Sequence, residues 1–182
     1  MTWCSPLPAH RVEMPDEPGT FGFVRKHHIH EGVDLYCPEG TLVVPVECGL
    51  VVGVIPFTGE QADPPSPWWN ATQAVLVEGS SGVVVYGEII AHVTVGQQVN
   101  TRTTLGHVRT VLKKDKGRPM SMLHLELHTP GTRNAFDWPV DGVRPPSLLD
   151  PTPHLIEMFV QLTREQTLAM WEFHDRAIDF DA

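Results

Sequence analysis

From residue 21 to about residue 127 the chain is a succession of short apolar runs rich in valine, isoleucine and leucine, cut by glycine and proline. Runs of this length between turn formers predict β-strands. The predicted strands are 32–36, 41–46, 50–55, 73–78, 83–90, 105–112 and 120–128, with tight turns at Pro38-Glu-Gly40 and Glu47-Cys-Gly49. The last run, Met120-Ser-Met-Leu-His-Leu-Glu-Leu-His128, alternates strictly. Leu123, Leu125 and Leu127 should therefore face a core, and Met122, His124, Glu126 and His128 should face solvent or a groove. Residues 56–72 are predicted as one long loop carrying the adjacent Trp68 and Trp69. Loops of that length in a compact domain are often functional; the plain alternative is that the two rings cover the sheet. Lys113-Lys-Asp-Lys-Gly-Arg118 reads as a solvated basic tip.

The period changes after Pro145-Pro146. Leu155, Phe159, Leu162, Ala169 and Phe173 recur at roughly helical spacing, which predicts a helix over 154–176. Ile156, Val160 and Trp171 widen its apolar stripe, so it either caps the sheet or makes a homodimer contact. Residues 1–20 are proline-rich and aperiodic, the pattern of an extended arm. The expected fold class is mainly β: an antiparallel sheet or sandwich followed by a C-terminal helix. The expected divisions are an arm at 1–20, a β domain at 21–145 and a helical appendage at 146–182.

A length of 182 residues is ample for a packed core, and a net charge of −9 argues against nucleic acid or an anionic membrane as the main partner. Cys4, Cys37 and Cys48 form no CxxC pair, as expected of reduced thiols in the cytosol. The start lacks a basic and then apolar leader, and no apolar run approaches the roughly 20 residues that span a bilayer. The expected location is therefore cytoplasmic, which includes a phage-encoded protein released on lysis.

Candidate chemistry concentrates in Arg25-Lys-His-His-Ile-His-Glu-Gly-Val-Asp34. On a straight strand His30 and Asp34 would stand about 13 Å apart, too far to share one ion. A kink at Gly32 is the expected remedy, and a borderline metal such as zinc accepts nitrogen and oxygen donors together. His124, in the middle of the alternating strand, is the candidate third ligand. His128, four positions further on, is expected at the surface. His27 and His28 read as exposed neighbours of the first motif, with His28 a substitute ligand; His10, His154 and His174 read as ordinary surface or helix histidines.

Several short motifs then agree in order and spacing. His30-Glu-Gly-Val-Asp34, Gly40-Thr-Leu-Val-Val-Pro-Val46 and Gly49-Leu-Val-Val52 are followed by Tyr86-Gly-Glu88, Val95-Gly96, Leu105-Gly106 and Met122-Leu-His124-Leu-Glu126. Together they resemble the lysostaphin/LytM-type zinc endopeptidases over residues 28 to 128. The resemblance implies an antiparallel sheet with an open groove and Zn2+ bound by His30, Asp34 and His124. It also implies action on a peptide or peptidoglycan-like amide.

The chain departs from that family at two positions. Glu88 and Met122 stand where the family has two helper histidines, so the chain resembles a degenerate member. Glu88 has three readings: a general base in a metal-dependent amide or peptide hydrolase, a fourth ligand closing a structural metal site, or a bystander in a catalytically inactive pseudo-peptidase that acts as a binding module. Met122 cannot donate a hydrogen bond to a developing oxyanion; Tyr86, Arg118 or a backbone amide is the expected replacement.

Overall fold

The computed structural model describes residues 2–114 and 120–178; the side chains of 167 and 169–178 are outside the description. Nine strands and one helix are present among the described residues. The strands are β1 (Val33–Tyr36), β2 (Leu42–Val43), β3 (Gly49–Thr58), β4 (Thr72–Glu78), β5 (Val83–Ala91), β6 (Gln98–Val99), β7 (Gly106–Val108), β8 (Met122–His128) and β9 (Leu148–Leu149). They form one antiparallel sheet in the order β1-β8-β5-β4-β3-β6, with β7 between β2 and β5 and β9 against β8. The expected class, a mainly antiparallel β fold with a C-terminal helix, is the observed one. The final part of the basic tip, including Arg118, lies outside the described residues.

Strand lengths differ from the pattern where the backbone finds other partners. The run 41–46 forms a strand only over β2, because the N-terminal segment takes over. Val44 donates its N–H to Pro6 O, and Cys4 donates to Val46 O. Residues 56–58, expected in a loop, continue β3 beside a bulge, where Pro56 is tolerated. β6 and β9 are two residues each, too short to leave a periodic signature.

Alternation along the strands divides the sheet into two faces. On one, Leu123, Leu125 and Leu127 of β8 pack with Val33, Leu35, Val75, Val77, Val84, Tyr86, Ile89 and Val108. Trp3 and Leu7 from the N-terminal segment join that core. Tyr86 is fully buried in it, and its hydroxyl accepts the Val46 N–H at 2.8 Å. The other face holds a smaller cluster of Ala74, Leu76, Val83 and Val85, with Phe57 packed against it.

The helix α1 (Thr152–Ile178) begins at a capped turn. Asp150 Oδ1 accepts the Thr152 N–H at 2.8 Å, and Pro151 needs no donor there. Leu155 and Met158 enter the main core, with Phe159 and Leu162 against it, so the first turns cap the sheet. Ile156, Val160 and Leu168 remain exposed.

Candidate metal centre

The register of the sheet brings the centre together. Asp34 of β1 sits directly opposite His124 of β8, and His124 sits opposite Gly87 of β5. Cross-strand partners share a face, so Asp34 and His124 point to the same side, away from the leucine core. His30 arrives from a tight hairpin in which Gly22 N donates to His30 O and His30 N to Phe23 O. Gly32 makes the approach feasible: the chain bends there, as expected, though without a left-handed φ. Its lack of a side chain matters as well. A Cβ at Gly32 would lie 2.5 Å from Leu125 O and 2.9 Å from His124 Nε2. Gly87 does the same on the other flank, where a Cβ would meet Phe57 Cε1 at 2.6 Å. The Phe57 ring packs over that of His124, centroids 5.4 Å apart.

Three donor atoms converge. Asp34 Oδ1 is 3.0 Å from His30 Nε2 and 2.9 Å from His124 Nδ1, and the two nitrogens are 3.2 Å apart. His30, Asp34 and His124 are 0, 3 and 5 % exposed. Each imidazole is fixed from its far side. His30 Nδ1 donates to Thr20 O at 2.9 Å, and His124 Nε2 donates to Glu126 Oε1 at 3.0 Å. With those N–H groups committed outward, the inward nitrogens of neutral rings carry lone pairs. Three acceptor atoms then face one another at contact distance, which only a cation or an added proton can stabilise. An N2O set with outward N–H anchors suits zinc, whose histidine ligands donate their other N–H in this way.

The ionisation pattern has the same cause. Burial works to raise the Asp34 pKa, but hydrogen bonds from His124 and His30, with their charge, hold it well below the usual carboxylate range. Burial opposes charge on His124, yet Asp34 and Glu126 hold its pKa well above the ordinary value. For His30, burial prevails and lowers it. Asp34 and Glu126 thus favour positive charge at His124, which a proton or a metal ion can supply.

The outer ring of the site contains residues that spacing alone did not reveal. Arg25 Nη2 donates to Asp34 Oδ2 at 2.5 Å and to Pro18 O at 3.0 Å, leaving Oδ1 for the centre. His128, expected at the surface, is fully buried. Its Nε2 donates to Glu126 Oε2 at 2.7 Å, and its Nδ1 lies 3.1 Å from Ser147 Oγ. Glu126 therefore bridges His124 and His128. Burial would raise its pKa, but the two histidines bring it down to about 2. The polar face of β8 is covered rather than open: Phe57 packs on His124, Phe136 and Ser147 from the segment after β8 meet His128, and Trp138 N donates to Glu31 Oε1. Strict alternation was the available signal, since it put Glu126 and His128 on the face of His124. A cavity of about 500 Å³ beyond them, walled by Arg133, Phe136, Pro146 and Ser147, includes none of the three donors.

Glu88 sits at a bulge: between Gln73/Ile89 and Val75/Tyr86, β5 has one more residue than β4. Its φ is 63°, the only positive value on a non-glycine among the described residues. A bulge beside a site re-aims a side chain, and a residue held at such φ stores about 1–3 kcal/mol. Its Oε2 is shut from solvent and has no hydrogen-bond partner among the described residues. Burial and the nearby charge of Asp34 push its pKa up to about 8, against the opposing charges of His124 and Arg25. Arg25 Nε is likewise buried without a partner among the described residues.

Other sequence candidates fall outside the centre. Tyr86 lies in the main core on the opposite face, away from the three donors. His28 is half-buried, lowered to about 4 by burial and Arg25, and does not join the three donors. Met122 pairs with Tyr36 at the start of β8. Trp68 is 65 % exposed, too open to serve as cover for the sheet, and meets Trp69 edge-on at 6.4 Å.

No family model and no curated protein sequence matches the chain. Among solved structures, CbpA from L. salivarius REN is similar over 86 % of this chain and 97 % of its own, at 20 % identity and a TM-score of 0.54. That likeness supports the fold. A Pseudomonas aeruginosa protein described as a peptidase M23 candidate has a TM-score of 0.47 at 18 % identity, covering 84 % of this chain. Helicobacter pylori Csd3 has a TM-score of 0.45 at 18 % identity, covering 93 %. This chain spans 50 % of the Pseudomonas protein and 43 % of Csd3.

Proposed function

We propose that this chain is a LytM-like domain that binds one Zn2+ through His30, Asp34 and His124 and hydrolyses an amide bond in a peptide or peptidoglycan-like substrate. The observation that carries the chemical part is the Glu88 carboxylate, held at a strained bulge with one oxygen buried and unpartnered. Zinc held there would supply Lewis acidity toward a substrate carbonyl. Glu88 supplies the base: its free Oε2 accepts a proton from the attacking water and returns it to the departing amine. Arg25 holds Asp34 through Oδ2, and its buried Nε–H is a donor available to a developing oxyanion in place of the histidine that Met122 replaces. Glu126 and His128 do not touch the reaction; they fix the His124 tautomer.

A second reading is a closed structural site with Glu88 as fourth ligand, in a pseudo-peptidase that binds rather than cuts. The near-complete burial of all three donors favours it. One experiment separates the two: Glu88→Gln and wild type are assayed on muropeptides and polyglycine while bound zinc is measured. Turnover in wild type, lost in Glu88→Gln with zinc retained, supports the hydrolase. Absence of turnover in wild type, together with zinc loss in Glu88→Gln, supports the closed site.

A further inference from the structure

Beyond the bulge at Glu88 the same face of the sheet carries a second pair of imidazoles. Ile89 and Val108 are partners in the main core, so Ile90 and its partner His107 point to the opposite face. His92 follows at the end of β5, its N–H donating to Leu105 O at 2.7 Å, and flanks His107 diagonally. The scaffold beneath them is tight: a Cβ at Gly106 would lie 2.2 Å from Ile90 O. His92 is exposed and His107 half-buried. Their ring centroids are 5.0 Å apart, and His107 Nδ1 faces His92 Nε2 at 3.0 Å.

We infer that His92 and His107 form an accessory two-histidine site for a divalent transition-metal ion, separate from the centre at His30, Asp34 and His124. Two nitrogens 3.0 Å apart, each about 2.05 Å from one ion, subtend an angle of about 95° there. That is close to the right angle between neighbouring ligands in square-planar or octahedral coordination, the preference of Ni2+ and Cu2+; a tetrahedral ion needs them about 3.3 Å apart. Strand pairing holds His107, the hydrogen bond to Leu105 O holds the backbone of His92, and the two rings already face each other. The remaining coordination positions face solvent, open to water or to donor atoms of a ligand.

The same separation is also that of an N–H···N hydrogen bond between neutral rings, and metal uptake decides between them. As-purified protein is titrated with Ni2+ alone, with bound Ni2+ counted by equilibrium dialysis and histidine ring signals followed by NMR. The expected result is one Ni2+ above the metal already present, with paramagnetic broadening centred on His92 and His107. His92→Gln and His107→Gln should each lose that ion and keep the metal of the first centre. No additional uptake by wild type, or broadening centred on other histidines, overturns the proposal. So does undiminished uptake by both variants.

Discussion

Glu88 concentrates three unfavourable features in one side chain: left-handed backbone, a carboxylate oxygen shut from solvent and a neighbouring negative charge. A folded-state pKa of about 8 against an ordinary 4.5 means that metal-free protein keeps Glu88 protonated where the unfolded chain ionises it. Its stabilising contribution is complete below the unfolded value and is lost as pH rises through the folded one. Chelated wild type should therefore lose more stability than Glu88→Gln between those values; parallel urea denaturation curves at each pH would contradict this. Glu88→Gly relieves the backbone as well, and should stabilise metal-free protein by on the order of 1 kcal/mol while abolishing any turnover. At Glu126 the sign is opposite, since about 2 lies below the ordinary value: its contribution is lost only as pH falls from 4.5 toward 2. Replacing it with glutamine leaves the shape but lets the His124 tautomer exchange. Zinc affinity should fall about 10–100-fold, measured by competition with a chelator.

At the level of elements, the centre depends on the chain just before β1 approaching β8 more closely than a side chain would allow. Gly32→Ala should cost about 1–3 kcal/mol in urea denaturation and weaken metal binding, because its Cβ meets backbone and the His124 ring rather than a flexible tip. The first turns of α1 make a paired test. Leu155→Ala should cost about 2–5 kcal/mol, whereas Ile156→Ala, at a residue 51 % exposed, should stay within about 0.5 kcal/mol. Equal effects would mean that the helix does not cap the core. This is also where the sequence was most and least legible. Period-two alternation in β8 revealed which residues are leucine core and which are polar face, because it depends only on backbone geometry. It could not reveal that the segment after β8 brings Phe136 and Ser147 onto His128, since that segment has no period of its own. Nor could it show that Gly32, besides bending the chain, must lack a Cβ, which depends on what packs against it.

For the whole molecule, the sheet brings together residues ninety-four positions apart in sequence, His30 and His124, and metal binding should couple to folding because the unfolded chain has no such site. Motif order and spacing were enough to name His30, Asp34 and His124 together. Arg25 and Thr20, which set charge and tautomer around them, emerge only once the chain is folded, whereas alternation already placed Glu126 on the face of His124. The most direct test is zinc content per chain after supply of zinc and exhaustive dialysis, for wild type and His124→Ala. Wild type should retain one equivalent and His124→Ala none; equal retention in the two proteins, or none in wild type, would contradict the assignment of the centre.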